Sequence, residues 1–168
     1  MIGPFIIYMM GVSGSGKTTI GAKLSELTGI PFFDGDDFHP PANKEKMKAG
    51  KPLDDKDRVG WLQALHRLAL EWATKGGAII ACSALKESYR ASLSENISVP
   101  VRWVFLQGDY NLINQRINAR KDHFMPTSLL RSQFDILEIP HQAITINIAN
   151  NPDEIVKEIL HKLNMTNG

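Results

Sequence analysis

Short apolar runs recur along the chain, and segments with helical periodicity separate them. Four of these runs are continuous, at residues 5–10, 30–33, 78–82 and 101–106. Continuous runs of this length are typical of parallel strands that are buried on both faces of a sheet. In residues 143–149, isoleucines alternate with Thr145 and Asn147. That alternation predicts a half-exposed strand at the edge of the sheet.

The segments between the runs carry apolar residues at helical spacing. One stripe comprises Ile20, Leu24 and Leu27, a second comprises Leu62, Leu65, Leu68, Ala69 and Trp72, and a third comprises Leu85, Tyr89 and Leu93. Gly29 is placed to end the first helix, and Asn151-Pro-Asp-Glu154 has the composition of a helix start. Strand and helix therefore alternate, which predicts one three-layer α/β domain with a parallel sheet over residues 1–168.

Composition narrows the functional classes. The chain has 168 residues and a formal net charge of +1, which argues against a general nucleic-acid binder. No apolar run approaches the length of a membrane span, and no charged segment precedes the first strand as in a signal peptide. The single cysteine, Cys82, lies in an apolar run, so we expect a buried thiol rather than a reactive one. These features predict a cytoplasmic protein that does not bind a membrane.

Two polar segments interrupt the alternation. Residues 39–58 mix both signs of charge with proline, and residues 116–127 are rich in arginine, lysine and histidine. Charge runs of this kind usually form solvated surface. Each is also long enough to cover a site at the carboxyl ends of the strands, where open α/β sheets bind ligands.

The sequence "GVSGSGKT" follows the first predicted strand and precedes the first predicted helix. It fits the phosphate-binding pattern G-x-x-x-x-G-K-[ST], in which glycines let backbone N–H groups converge on phosphate oxygens. Lys17 would reach the β- and γ-phosphates, and the Thr18 hydroxyl would bind Mg²⁺. The loop predicted to bind ATP comprises Gly11, Val12, Ser13, Gly14, Ser15, Gly16, Lys17, Thr18 and Thr19.

Two other interpretations of this loop are weaker. In an ordinary strand-to-helix turn, Lys17 would be incidental. In a dinucleotide-binding turn, Thr19 would occupy a position that requires glycine or alanine, and Lys17 would have no role.

Acidic residues follow the second predicted strand in "FFDGDDFHP". Three adjacent carboxylates repel one another, so they favour a cation such as Mg²⁺. Asp34 and Asp36 are better placed for chemistry, with one of them holding the metal through water and the other accepting the proton of an attacking hydroxyl. Asp37 is expected to cap a helix. Asp109 could instead serve as the metal-side aspartate, but the Asp34–Asp36 pair already fills that role.

Cations in three places suit anionic ligands. Arg58 ends the first polar segment, while Lys86 and Arg90 are one helical turn apart. Together these three would suit an anionic substrate. Arg116 and Arg120 would close over a triphosphate and offset developing charge. In each case a solvated basic surface is the alternative.

At these positions the sequence resembles the bacterial-type gluconate kinases. The stretches that carry the resemblance are "GVSGSGKT", "FFDGDDFHPPANKEKMKAGKPLDDKDRVGWLQAL", "CSALKESYR", "LQGDY" and "RINARKDHFMPTSLLRSQFDILE". They follow in family order over most of the chain up to about residue 140. The resemblance implies a P-loop fold of the nucleoside-monophosphate-kinase type, with a five-stranded parallel sheet, a substrate flap at about 38–62 and a mobile lid at about 119–128.

The same resemblance implies ATP-dependent phosphorylation of D-gluconate at its 6-hydroxyl, with Mg²⁺, by a homodimer. Carried over by position, Lys17 and Thr18 keep their phosphate and metal roles. Asp34 is the Mg²⁺-side carboxylate, Asp36 the base, Arg116 a nucleotide-facing residue and Arg120 a residue of the lid. The implied substrate-binding residues are Asp36, His39, Arg58, Lys86 and Arg90.

Two further functions stay open at this point. A shikimate or nucleoside monophosphate kinase would share the fold, although a shikimate kinase is expected to show a glycine triplet where this chain has "CSAL". A non-catalytic nucleotide-binding module would not need the carboxylate pair, the lid cations and the anion site together.

Overall fold

The computed structural model describes residues 4–119 and 127–165. Five parallel strands form one sheet in the order β2-β3-β1-β4-β5. The strands are β1 (Ile6–Met10), β2 (Phe32–Asp34), β3 (Ala78–Ala81), β4 (Val101–Gln107) and β5 (Ile144–Asn147). The helices are α1 (Lys17–Thr28), α2 (Pro41–Lys48), α3 (Asp55–Ala73), α4 (Glu87–Ser94), α5 (Tyr110–Ala119), α6 (Thr127–Ile136) and α7 (Pro152–Met165).

Helices cover both faces of this sheet, as the continuous apolar runs predicted. Every residue of the central strand β1 is buried. Ile7 and Met9 pack on one side with apolar residues of α1, α5, α6 and α7, while Tyr8 and Met10 pack on the other with α3 and α4. β5 lies at the edge with Thr145 and Asn147 exposed. The prediction of a three-layer α/β fold with a five-stranded parallel sheet is therefore confirmed.

The first polar segment is more regular than its sequence indicated. It contains α2 and the first turn of α3, which begins at Asp55, before the apolar stripe. Asp54 accepts from the backbone N–H of Asp57 (2.8 Å), and Asp57 accepts from the backbone N–H of Asp54 (3.0 Å). This reciprocal capping satisfies N–H groups that the first helical turn would leave without partners. The charged residues thus start a helix rather than prolong a loop.

Two smaller sequence predictions are confirmed. The single cysteine, Cys82, directly follows β3 and is buried, and this burial raises the pKa of its thiol to about 12. Asn151 caps α7 by accepting from the backbone N–H of Glu154 (2.9 Å). In the described part of the chain, no helix combines the length and apolar character that crossing a bilayer requires.

Candidate active site

The glycine-rich loop joins β1 to α1 at the carboxyl edge of the sheet. Gly14 and Gly16 have φ values of 80° and 98°, which L side chains rarely adopt. A Cβ atom on Gly14 would also lie 2.6 Å from the Ile117 side chain of α5. The loop is therefore closely packed against α5. It continues directly into the N-terminus of α1, where the helix dipole is positive.

Lys17 begins α1, and its ammonium turns back over the loop. The Nζ atom donates to the backbone oxygens of Gly11 (2.9 Å) and Val12 (3.0 Å). Desolvation lowers the pKa of this half-buried lysine, while the negative charges of Asp36 and Asp34 oppose that shift. The cation therefore lies between the phosphate loop and the carboxylates that follow β2.

Ser15 supplies an independent indication of an anionic ligand. Its Oγ atom is buried, and it has no hydrogen-bond partner among residues 4–119 and 127–165. A Cβ atom on Gly11 would lie 2.7 Å from this oxygen, so the hydroxyl lies inside the curve of the loop. A buried hydroxyl without a partner is costly. A phosphate oxygen in the loop would supply the acceptor.

Asp34 and Thr18 meet where α1 and β2 converge. Thr18 Oγ1 donates to Asp34 Oδ2 (3.1 Å), and the backbone N–H of Asp36 donates to Asp34 Oδ1 (3.0 Å). Asp34 therefore caps the 3₁₀ turn Gly35–Phe38. The expectation that Asp37 caps a helix was wrong, because α2 begins after Pro40 without a side-chain cap and Asp37 is exposed.

Gly35 brings the two carboxylates to the phosphate loop. A Cβ atom at this position would collide with the backbone oxygen of Ala81 in the neighbouring strand β3. The Gly35 carbonyl also accepts from Trp61 Nε1 of α3 (2.8 Å). This close packing fixes the turn, so Asp34 and Asp36 follow β2 at the same edge as the loop.

His39 is buried between α2 and α3. Its ring stacks on Trp61 with centroids 4.3 Å apart, and Asn43 Nδ2 lies 3.2 Å from Nδ1. Desolvation, aided by the positive charges of Arg58 and Lys44, lowers the His39 pKa to about 4. The ring is therefore neutral at pH 7. Asn43 Nδ2 also donates to the Asp57 carbonyl (2.9 Å), and because this NH₂ group can only donate, Nδ1 accepts and Nε2 carries the proton.

Arg58 of α3 and Lys86, which directly precedes α4, converge on one tyrosine. Arg58 Nη1 donates to the Leu53 carbonyl (2.7 Å) and to the Tyr89 hydroxyl (3.2 Å). The guanidinium carbon and Lys86 Nζ lie 5.4 and 5.7 Å from the Tyr89 ring centroid. Arg58 is buried, whereas the side chain of Lys86 is 30% exposed. Lys86 therefore remains accessible to a ligand.

Asp55 is the carboxylate that faces these two cations. It accepts from Lys86 Nζ (2.9 Å) and from the Tyr89 hydroxyl. The hydrogen bonds from Lys86 and Tyr89 lower the pKa of Asp55, and the hydrogen bond between Lys86 and Asp55 also raises the pKa of Lys86. Two cations facing one carboxylate leave a local excess of positive charge, which suits an anionic ligand with hydroxyl groups.

Arg90, the third predicted substrate cation, forms its hydrogen bonds with different residues from those that Arg58 and Lys86 contact. Its guanidinium is buried and donates to the carbonyls of Ala84 (2.7 Å) and Glu138 (2.9 Å) and to the Glu87 carboxylate (3.0 Å). Lys86 is not on the same helix face, because it precedes the first residue of α4. Arg90 thus holds the turn that carries Lys86.

Of the two cations predicted on the nucleotide side, Arg116 lies within the described residues. Arg116 Nη2 donates to the Ile148 carbonyl (2.6 Å) and ties α5 to the end of β5. Asp109 accepts from the backbone N–H of Leu112 (2.8 Å), so it caps α5. Arg120, with most of the predicted lid, lies outside the described residues.

Sequence reasoning missed three residues that border the site. Tyr89 fits an apolar helix stripe and Asp55 lies in a charged segment, so neither residue is distinguished by its sequence pattern. Gln133 of α6 accepts from the backbone N–H of Ser13 (2.8 Å) and donates to Ser13 Oγ (3.1 Å). Their presence in the matching stretches "CSALKESYR", "DDKDR" and "RSQFDILE" was the only available signal.

Comparison with known proteins identifies the family of this chain. The family model described as shikimate kinase matches residues 13–164. The thermosensitive gluconokinase of Escherichia coli K12 is 47% identical over 133 residues, which cover 79% of this chain and 71% of that protein. The gluconokinase of Gluconobacter oxydans 621H is 40% identical, with 94% of this chain and 90% of that protein covered. This chain belongs to the gluconokinase family.

A solved gluconokinase structure extends the agreement to three dimensions. The crystal structure of a gluconokinase from Sinorhizobium meliloti 1021 is 40% identical to this chain and superposes with a TM-score of 0.90. The match covers 99% of this chain and 95% of that one. The shikimate kinase match places the gluconokinase family within a wider group of P-loop kinases that use ATP.

Proposed function

We propose that this protein transfers the γ-phosphoryl group of ATP to the 6-hydroxyl of D-gluconate, giving 6-phosphogluconate and ADP. The observation that carries the proposal is the combination of the phosphate loop with the Arg58–Lys86 pair in a chain that is 40–47% identical to gluconokinases. A phosphate cradle alone would fit many kinases. The cation pair adds a reason for an acidic acceptor.

The acceptor's carboxylate is held, in this proposal, by Lys86 and Arg58. A guanidinium or ammonium group forms charge-assisted hydrogen bonds with a carboxylate. Asp55 and the Tyr89 hydroxyl lie beside these cations. The Asp55 carboxylate can accept from the hydroxyls of a sugar acid, and the Tyr89 hydroxyl can also donate to them. Arg90 contributes by holding the turn before Lys86, and His39 offers its Nε2–H as a donor.

The phosphoryl transfer itself relies on charge rather than on covalent chemistry. Asp36 accepts the proton of the attacking 6-hydroxyl, and Lys17 stabilises the negative charge that spreads over the transferring group. Arg116 and Arg120 are proposed to add positive charge from the nucleotide side. Residues 38–62 act as the acceptor flap and residues 119–128 as the lid, which would exclude water during transfer.

Mg²⁺ is proposed to bind at Thr18 and Asp34. The described residues contain no cluster of three or more His, Cys, Asp or Glu side chains that could hold a metal. Mg²⁺ commonly needs no such cluster, because it binds through one or two protein oxygens plus water and substrate phosphates. The Thr18 hydroxyl and the Asp34 carboxylate fit this requirement. The ion would neutralise charge on the β- and γ-phosphates.

Two broader features are also part of the proposal. The family resemblance supports a homodimer. The use of ATP and the single, buried Cys82 support a cytoplasmic location.

A substrate panel tests the proposed activity. ADP release is measured by a coupled assay with D-gluconate, other aldonates, glucose, shikimate and AMP as acceptors. D-gluconate should give the highest kcat/KM, and glucose, which lacks the carboxylate, should give the lowest among the sugars. Equal kcat/KM for glucose and gluconate would reject the role of the cation pair.

Substitution of the cations should affect the acceptor selectively. We expect Lys86→Met to raise the KM for gluconate about tenfold, and Arg58→Ala to raise it about ten- to a hundredfold, because each removes a charge-assisted hydrogen bond. The KM for ATP should change less than about twofold, since the triphosphate binds at the loop. Steady-state kinetics with each substrate varied in turn gives both values.

Lys75→Met is the matched control for Lys86→Met. Lys75 pairs with Glu71 on the exposed surface of α3, and its removal should leave both KM values unchanged. A rise in the ATP KM with an unchanged gluconate KM would instead assign Lys86 and Arg58 to the nucleotide site.

Asp34→Asn should raise the Mg²⁺ concentration that gives half-maximal activity by about tenfold, because the amide contributes no charge near the ion. A Mg²⁺ titration at saturating ATP and gluconate measures this shift. Asp153→Asn is the control, since Asp153 pairs with Lys23 on the surface. An unchanged Mg²⁺ dependence would remove Asp34 from the metal site.

A further inference from the structure

A single side chain of α6 forms hydrogen bonds with both the backbone N–H and the hydroxyl of Ser13. Gln133 Oε1 accepts from the Ser13 backbone N–H (2.8 Å), and Gln133 Nε2 donates to Ser13 Oγ (3.1 Å). Because a backbone N–H can only donate, the atom of the Gln133 amide that meets the Ser13 N–H must be the oxygen. Gln133 is 9% exposed and Ser13 is half-buried, so these are partly buried contacts between α6 and the loop.

One peptide unit, between Val12 and Ser13, links the Gln133 contact to Lys17. The N–H of the Val12–Ser13 peptide donates to Gln133, and the carbonyl oxygen of the same peptide accepts from Lys17 Nζ (3.0 Å). That carbonyl also accepts from the backbone N–H of Ser15 (3.2 Å). A rotation of this peptide would therefore move the acceptor of Lys17 and the inner turn of the loop together.

We propose that Gln133 is a positioning residue for the phosphate site, which it orients through the Val12–Ser13 peptide. The inference rests on the proposed function in one respect only, namely that ATP is the ligand of the loop. Gln133 fixes the plane of this peptide, and the peptide in turn orients the Lys17 ammonium and the N–H groups that follow. Gln133 itself does not touch the phosphates.

Gln133→Met tests the inference, because methionine has a similar length but cannot form these two hydrogen bonds. We expect the KM for ATP to rise about tenfold and kcat to fall, with the KM for gluconate changed less than about twofold. Calorimetric titration with a non-hydrolysable ATP analogue should show the same loss of affinity. This titration needs no acceptor, so it remains decisive even if gluconate proves not to be the substrate.

Gln133→Ser provides the test if the methionine variant does not fold. Serine keeps a small polar group at this position but is too short to reach Ser13, so both hydrogen bonds are lost. Because the charge near the loop is unchanged, a fall in affinity for the ATP analogue would report the loss of these bonds. Gln63→Ser, at an exposed position of α3, is the matched control and should bind the analogue like the wild type.

The outcomes separate clearly. Weaker binding of the ATP analogue by Gln133→Met, or by Gln133→Ser relative to Gln63→Ser, supports the inference. It is overturned if a folded Gln133→Met variant keeps kcat, the ATP KM and analogue binding within twofold of the wild type. It is equally overturned if Gln133→Ser and Gln63→Ser bind the analogue alike. A packing role alone would lower the melting temperature without this selective loss.

Discussion

Replacement of Lys17 by methionine is expected to lower kcat for gluconate-dependent ATP turnover by about 10³-fold while the protein remains folded. Removal of one preorganised group that stabilises transition-state charge typically costs about 10²–10³-fold in kcat, and Lys17 is the cation that the loop itself carries. Its ammonium contacts two backbone carbonyls and pays a desolvation cost, so its loss should change the melting temperature little. Single-turnover kinetics and a thermal melt measure the two effects.

Lys23→Met is the matched control, because Lys23 lies on the same helix and pairs with Asp153 at the surface. Its kcat should stay within about twofold of the wild type. Turnover by Lys17→Met at a rate close to that of Lys23→Met would show that Lys17 does not act on the phosphoryl group.

Asp36→Asn is expected to lower kcat by about 10²–10³-fold while binding of an ATP analogue stays within about threefold. The asparagine keeps the shape of the side chain but cannot accept the proton of the 6-hydroxyl, and general-base catalysis typically contributes about 10²–10⁴-fold. The negative charge of Asp36 also counteracts the desolvation that lowers the pKa of Lys17, so part of the expected loss in kcat is electrostatic. The rate is measured with gluconate and ATP both saturating.

Asp37→Asn provides the comparison for this variant. Asp37 is the next residue of the same turn and is exposed, so its amide should leave kcat nearly unchanged. Equal losses in the two variants would mean that the acidic turn acts as a whole, and no loss in either would remove Asp36 from the chemistry.

The sequence predicted the scaffold and the phosphate side of the site well, because both depend on local patterns. A continuous apolar run predicts a buried parallel strand, and the carboxyl ends of such strands share one edge of the sheet. That rule alone brings Asp34 near the glycine loop, and the structure joins it to Thr18 by a hydrogen bond.

The acceptor side depended on contacts that no local pattern encodes. Helical spacing placed Arg90 on the same helix face as Lys86, but Lys86 precedes α4 and the Arg90 guanidinium is buried against the carbonyls of Ala84 and Glu138. Tyr89 fits an apolar stripe, yet its hydroxyl links Arg58 to Asp55. Gln133 meets Ser13 across 120 residues of sequence. Such pairs depend on how the layers pack, so periodicity could not identify them.

The central claim is that this chain phosphorylates D-gluconate at its 6-hydroxyl with ATP. Its most direct test is one reaction containing ATP, Mg²⁺ and equal concentrations of D-gluconate, shikimate and AMP, followed by ³¹P NMR. We expect ADP and a phosphate monoester coupled to the C6 protons of gluconate to accumulate together, with shikimate and AMP unchanged. Accumulation of shikimate phosphate, or conversion of AMP to ADP without a gluconate ester, would contradict the assignment.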